Sequence, residues 1–149
     1  MAATMDDVRA YLDAEEVDYE AAALLGAEAL PLLEQLVHGD DPMLASKATY
    51  LASLIPGDQR SAILADAATS PVDTVRVAAA SGLANLEEAD AATLADGLLG
   101  DTDVGVRKQA LRSVSGFAST WMVERVRRVA EDDPADVLRT MAAESLRER

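Results

Sequence analysis

The stretch Asp73-Thr-Val-Arg-Val-Ala-Ala-Ala-Ser-Gly-Leu83 decides the fold, because its framework recurs twice further along the chain. The later copies are Asp103-Val-Gly-Val-Arg-Lys-Gln-Ala-Leu-Arg-Ser-Val114 and Asp136-Val-Leu-Arg-Thr-Met-Ala-Ala-Glu-Ser-Leu146. Each contains an acidic residue, then an arginine, two spacers, an alanine, three spacers and an apolar residue. The shared alanine lies at 79, 110 and 142, and one more step of about 31 residues back reaches Ala48. Such a period is the signature of a repeat architecture.

A second apolar segment follows each copy with the same step, and its apolar residues have helical spacing, as in Leu94, Leu98 and Leu99. Each unit is therefore predicted to be two short helices joined by a tight connection. Helix starts are indicated at Asp41, Ser70 and Asp133, each of which precedes a proline. A side-chain oxygen can cap the helix there, while the proline occupies a position that needs no N–H donor.

The predicted fold is all-α, a right-handed α-solenoid within a single domain over residues 1–149. A pair of helices of this length cannot bury its apolar face alone, so successive pairs must stack. The chain contains 30 alanines and only 3% aromatic residues, which favours helices over strands. The predicted pairs span 17–38, 42–68, 72–99 and 103–131, with a half repeat at 135–147 and an additional N-terminal helix near 5–13.

The recurring Asp-x-x-Val-Arg-x-x-Ala arrangement resembles HEAT repeats, above all the short HEAT-like type first associated with phycobilisome bilin lyases. The resemblance extends over nearly the whole chain and is specific for fold rather than for function. In that family the acidic residue and the arginine form a ladder between successive repeats. The resemblance therefore implies a structural role for six residues: Asp73, Arg76, Asp103, Arg107, Asp136 and Arg139.

The charge of the chain is strongly negative and unevenly distributed. The formal net charge is −14, with −16 in residues 1–104 and +2 in residues 105–149. Such a field disfavours phosphate backbones and anionic membranes, so nucleic acid and membrane partners are not expected. No apolar run is long enough to span a bilayer and the N-terminus lacks signal-peptide order, so a cytoplasmic location is predicted.

The composition also bears on habitat and chemistry. Aspartate is abundant and lysine is rare, with only Lys47 and Lys108, as in proteins of high-salt cytoplasms; a high-GC genome is the alternative explanation. The absence of cysteine excludes disulfides and thiolate chemistry. No catalytic constellation, cofactor motif or metal-ligand pattern is found, and His38 is expected to interact with a helix C-terminus.

Candidate binding residues follow from the repeat step, which aligns the second helices in register. One predicted column contains Glu28, Gln59, Asp90 and Trp121, and another contains Gln35, Asp66, Gly97 and Arg128. Both columns change character in the last pair, where Trp121, Arg125 and Arg128 share one helical face. Tryptophan and arginine are enriched in binding hot spots. The alternative is that Trp121 packs over the last contact between repeats and that the arginines are merely solvated.

These observations predict a non-enzymatic protein–protein interaction module that binds a protein partner along the concave face. The predicted contact residues are Trp121, Arg125, Arg128, Asp90, Asp66 and Gln59. The partner's identity and the oligomeric state are not encoded in any recognisable motif. One alternative is a bilin-lyase-like enzyme or subunit, which the family resemblance implies. A further alternative is a nucleic-acid-binding HEAT-like protein, for which only the last pair and the final helix are mildly basic.

Overall fold

The computed structural model describes residues 2–149, and within this range the chain is helical with no strand. The first helices are α1 (Met5–Leu12), α2 (Tyr19–Ala23), α3 (Leu30–Val37), α4 (Pro42–Leu54) and α5 (Arg60–Ala68). They are followed by α6 (Asp73–Gly82), α7 (Glu88–Leu99), α8 (Val104–Val114), α9 (Thr120–Asp132) and α10 (Asp136–Arg147). Short 3-10 turns occur at Ala27–Ala29 and Leu83–Asn85. None of these described helices has the length and apolar character needed to cross a bilayer.

The helices form two layers that alternate along the chain. In one layer α4 packs beside α6 and α6 beside α8, while α3, α5, α7 and α9 follow one another in the second layer. The substantial contacts join helices no more than three positions apart in chain order. This is the contact pattern of an open, stacked row. The all-α solenoid predicted from the repeat is confirmed.

Side-chain oxygens fix several of the helix starts. Asp41 Oδ1 accepts hydrogen bonds from the N–H groups of Met43 at 3.0 Å and Leu44 at 3.2 Å, and Pro42 occupies the first position of α4. Asp103 caps α8 in the same way, with Oδ1 accepting from the N–H groups of Gly105 and Val106. These bonds satisfy donors that have no partner within the helix.

Two of the predicted caps are wrong. The Ser70 hydroxyl accepts from the Val72 N–H at 3.1 Å, and Asp133 Oδ1 accepts from the Ala135 N–H at 2.8 Å. Both side chains therefore stabilise a turn that precedes the helix, and α6 and α10 begin only at residues 73 and 136. Aspartate and serine form such local turns readily because their oxygens reach the N–H two residues ahead.

Small residues hold the layer of α4, α6 and α8 together. The four alanines at the repeat step, at positions 48, 79, 110 and 142, are fully buried. A Cβ atom added at Gly82 would lie 2.8 Å from Ser53 Cβ, so α4 and α6 approach too closely there for a larger residue. The Ser113 hydroxyl donates a 2.7 Å hydrogen bond to the carbonyl of Ala80 across the next contact. The helices are thus in close contact at each step of the row.

Candidate partner-binding cleft

Two partly buried arginines, Arg76 and Arg107, tie successive repeats together, and we call this set of contacts the arginine ladder. Arg76 Nε donates to Asp101 Oδ2 at 2.9 Å, and Arg107 Nε donates to Asp133 Oδ2 at 3.1 Å. Each arginine also donates from Nη1 to a backbone carbonyl six residues earlier, that of Ser70 or Asp101. Each guanidinium therefore joins the turn before its own repeat to the turn of the next repeat.

The ladder is shielded from solvent and it changes the pKa of its members. The side chains of Arg107 and Asp133 are 11% and 4% exposed. Burial by itself raises the pKa of Asp101, but hydrogen bonds from Arg76 and from the backbone N–H of Asp103 outweigh it and leave that pKa below its ordinary value. The hydrogen bond with Asp101 in turn raises the pKa of Arg76. Such ion pairs are expensive to break because one buried charge is left alone.

The acidic residues predicted for this ladder differ from those found. Asp103 caps its own helix, Asp136 pairs with Arg139 within α10, and no hydrogen bond joins Asp73 to an arginine among the described residues. The carboxylates of the ladder belong instead to Asp101 and Asp133. A carboxylate at the start of a helix lies close to the free N–H groups of that helix and pairs with them. The long arginine side chain instead reaches the carboxylate in the turn before the next repeat.

Asp101→Asn is expected to reduce stability at neutral pH by about 1.5–2 kcal/mol, the lower part of the range for hydrogen bonds to charged groups, because the asparagine carbonyl can still accept from Arg76. The lowered pKa of Asp101 stabilises the fold above the ordinary aspartate value of 3.8, and this contribution is lost as the pH falls through the folded value. The difference from wild type should therefore narrow in acid. Urea unfolding of both proteins at a series of pH values measures this difference in unfolding free energy. A difference that stays constant down to a pH of about 2 would show that the ionisation of Asp101 does not stabilise the fold.

A cleft of about 550 Å³ lies between α7, α9 and the two turns that carry the ladder carboxylates Asp101 and Asp133. Its apolar surface comes from Leu99, Val129 and Pro134. Its charged lining comes from Asp96, Asp101, Asp132 and Asp133 on the acidic side, and from Arg107, Arg125 and Arg128 on the basic side. The ladder therefore forms part of the wall, which gives the cleft a rigid border.

Two of the three residues predicted on this face of α9, Arg125 and Arg128, line the cleft, and Trp121 contacts Arg125 beside it. The guanidinium carbon of Arg125 is 3.7 Å from the ring centroid of Trp121, a cation–π contact. Arg125 Nε also donates to Asp96 Oδ1 at 3.0 Å, while 61% of the Asp96 side chain remains exposed. Trp121 is 37% exposed, and Arg128 lines the cleft on the solvent side of α9.

The other predicted contact residues lie elsewhere in the same layer. Gln59 precedes α5, Asp90 is in the first turn of α7, and Asp66 is on α5, where it lines a separate cavity of about 480 Å³. The sequence prediction missed Asp96, which pairs with Arg125. The repeat step offered a partial signal, because position 97 falls in the Arg128 column and residue 96 adjoins it.

A second group of polar side chains meets at the contact between the first two helix pairs. His38 Nε2 lies 3.2 Å from Asp66 Oδ2, and one carboxylate oxygen of Glu34 is within 4.8 Å of both ligand atoms. His38 directly follows the last residue of α3, at the helix end where the sequence placed it. Its contact with Asp66 was not predicted, since the two residues are 28 positions apart.

The comparisons with known proteins agree with the repeat pattern. The family model described as HEAT repeats matches residues 61–147. Among solved structures, the chain is similar to one in the complex of CpcE and CpcF of phycocyanin lyase from Nostoc sp. PCC7120. The match has a TM-score of 0.72 at 20% identity and covers 95% of this chain and 96% of that one. No curated protein sequence matches. Because the family model covers more than half of its length, the chain belongs to the HEAT-repeat family.

Proposed function

We propose that this protein is a non-enzymatic interaction module that binds a segment of a protein partner in the cleft between α7 and α9. The proposal is carried by one observation: an exposed Trp121 is stacked on Arg125, and Arg125 and Arg128 line a cleft with an apolar base. Aromatic and arginine side chains beside an apolar pocket are typical of interaction hot spots. Stacked helical repeats commonly use such extended surfaces for recognition.

The charges in the cleft indicate the chemistry of the segment. Asp101 and Asp133 are each neutralised by a ladder arginine, and Asp96 is neutralised by Arg125. Arg128 and Asp132 are the remaining charged residues of the lining, and both are exposed. A carboxylate of the partner can therefore pair with Arg128, or replace the exposed Asp96 at Arg125. An apolar side chain beside it would cover Leu99, Val129 and Pro134.

The rest of the layer extends this surface towards the N-terminus, where acidic residues predominate, whereas the cleft is also lined by Arg107, Arg125 and Arg128. Asp66 and Asp90 continue it over α5 and α7, within the part of the chain that has a net charge of −16. A partner segment with an acidic end in the cleft and basic residues further along would be complementary to both regions. Complementarity of this kind contributes mainly to specificity and to the rate of association.

A peptide-display selection tests the proposal without knowledge of the native partner. Random peptides are selected on immobilised wild-type protein and then measured by fluorescence anisotropy against the triple variant W121A/R125A/R128A. We expect the enriched peptides to contain acidic and apolar residues and to bind the triple variant at least about tenfold more weakly, a difference of about 1.4 kcal/mol.

The matched control is R112A/R147A, which removes two exposed arginines from the same basic segment, residues 105–149. Neither residue lines the cleft. This control should bind the selected peptides like the wild type. Equal affinity of the triple variant and the wild type would remove the cleft from consideration as the recognition site.

A bilin-lyase-like role is the second candidate, and the structural likeness to a chain of the phycocyanin lyase complex is the observation that favours it. At 20% identity this likeness concerns the fold. The cleft is lined by paired carboxylates, arginines and apolar side chains, which suit the binding of a partner segment. We therefore prefer the interaction module. Incubation with bilin and apo-phycobiliprotein gives a direct test, since chromophore attachment or removal changes the visible absorbance.

A further inference from the structure

We propose that Glu34, His38 and Asp66 form a binding site for a divalent transition-metal ion, with Zn²⁺ as the representative ligand. The site lies at the contact between the first two helix pairs and is separate from the cleft described above. It would join α3, which carries Glu34 and next to which His38 lies, to α5, which carries Asp66. An imidazole nitrogen with carboxylate oxygens is a donor set that Zn²⁺ accepts, and Zn²⁺ sites can keep a position for water.

The geometry is close to that of a coordinated ion. Glu34 and His38 are four residues apart, so their side chains share one face at the end of α3. One ligand atom from each of the three residues lies within 4.8 Å of the others. Tetrahedral Zn²⁺ with bonds of about 2.0–2.2 Å to nitrogen and oxygen holds two of its ligand atoms about 3.4 Å apart. The ligand atoms must therefore move closer together on binding, and the side chains of His38 and Asp66, which are 57% and 48% exposed, have room to rotate.

Within residues 2–149, the cavity beside this site has no ladder arginine in its lining. Positions 76 and 107 carry the ladder arginines, and the corresponding position one step earlier is Ala45. Ala45 lines the cavity of about 480 Å³ that borders His38 and Asp66. No lysine or arginine of the described residues lines this cavity. A bound metal ion would supply a cross-link between the two helix pairs.

The electrostatic surroundings favour a cation as well. Asp40 lines the same cavity, and residues 1–104, to which the site belongs, have a net charge of −16. The carbonyl groups at the C-terminus of α3 add partial negative charge beside His38. Because carboxylates alone would serve Mg²⁺ or Ca²⁺ equally well, the imidazole of His38 is what selects for a transition metal.

The experiment uses the fact that His38 is the only histidine in the sequence, so its ring protons give a single set of NMR signals. Tag-free protein is titrated with Zn²⁺ and, separately, with Mg²⁺. We expect the ring signals of His38 to shift on addition of Zn²⁺ and to remain unchanged with Mg²⁺. Zn²⁺ should also raise the melting temperature, since a ligand that binds only the folded state stabilises it.

Variants decide whether His38 and Asp66, which lie on different helix pairs, bind the ion together. Isothermal titration calorimetry should show Zn²⁺ affinity reduced about tenfold or more in His38→Ala and in Asp66→Asn, both of which alter exposed side chains and should leave the fold intact. Asp58→Asn, an exposed carboxylate in the α4–α5 connection, is the matched control and should bind Zn²⁺ like the wild type. Unchanged Zn²⁺ affinity in His38→Ala, or ring signals that do not respond to Zn²⁺, would overturn the proposal.

Discussion

Arg107→Met is expected to lower the free energy of unfolding by about 3–5 kcal/mol, the usual cost of removing one partner of a buried ion pair. The variant leaves the carboxylate of Asp133, only 4% exposed, without its charge partner. It also deprives the carbonyl of Asp101 of the hydrogen bond that Arg107 donates at 3.0 Å. Methionine retains the apolar stem, so the loss reports on the charge and its hydrogen bonds. Urea unfolding followed by circular dichroism measures the change.

Arg127→Met is the matched control for this prediction. Arg127 pairs with Glu124 within α9 at 2.7 Å, and both side chains are about half exposed. Exposed pairs contribute little, so the control should lose no more than about 0.5 kcal/mol. The double variant R107M/D133N should recover part of the loss of R107M, because the unpaired buried charge is then removed. Equal stability of R107M and R127M would show that the ladder contributes no more than a surface pair.

The architecture could be predicted from the sequence because it depends on residues that recur at a fixed step. The alanine at 48, 79, 110 and 142 and the apolar residues around it specify where each helix contacts the next. Each helix is short, and its neighbours in space are also near in sequence. Local pattern and overall fold therefore agree, and no long-range pairing had to be inferred.

The partners of the arginines could not be predicted in the same way. The Asp residue three or four positions before each arginine was the natural choice, yet the ladder uses Asp101 and Asp133, which lie 25 and 26 residues after the arginines they bind. One feature of the spacing could have pointed to the correct aspartates: Asp101 and Asp133 each lie six residues before an arginine of the next repeat, Arg107 and Arg139. Which of two nearby aspartates reaches the guanidinium depends on turn geometry, which a repeat pattern does not specify.

The candidate sites were only partly predictable for a related reason. Trp121, Arg125 and Arg128 were identified because a single helix sets their spacing. The depth of the cleft beside them depends on the separation of α7 and α9. The His38 and Asp66 contact likewise joins two helices. A sequence pattern gives the register of such residues, but distances between helices follow from the packing of all the side chains between them.

The small residues in the layer of α4, α6 and α8 determine how closely these helices approach, and Ala110→Leu tests this directly. Ala110 is fully buried, so three additional carbon atoms must displace neighbouring helices or adopt strained rotamers. We expect the free energy of unfolding to fall by about 2–3 kcal/mol, near the upper end of the usual cost of overpacking. Ala62→Leu is the control, since Ala62 is exposed on α5 and leucine is nearly as good a helix former as alanine. Thermal and urea unfolding of both variants provide the measurement. If Ala110→Leu were as stable as Ala62→Leu, the layer would accommodate a larger side chain at this position. Close approach of the helices at the repeated alanine would then not determine how this solenoid stacks.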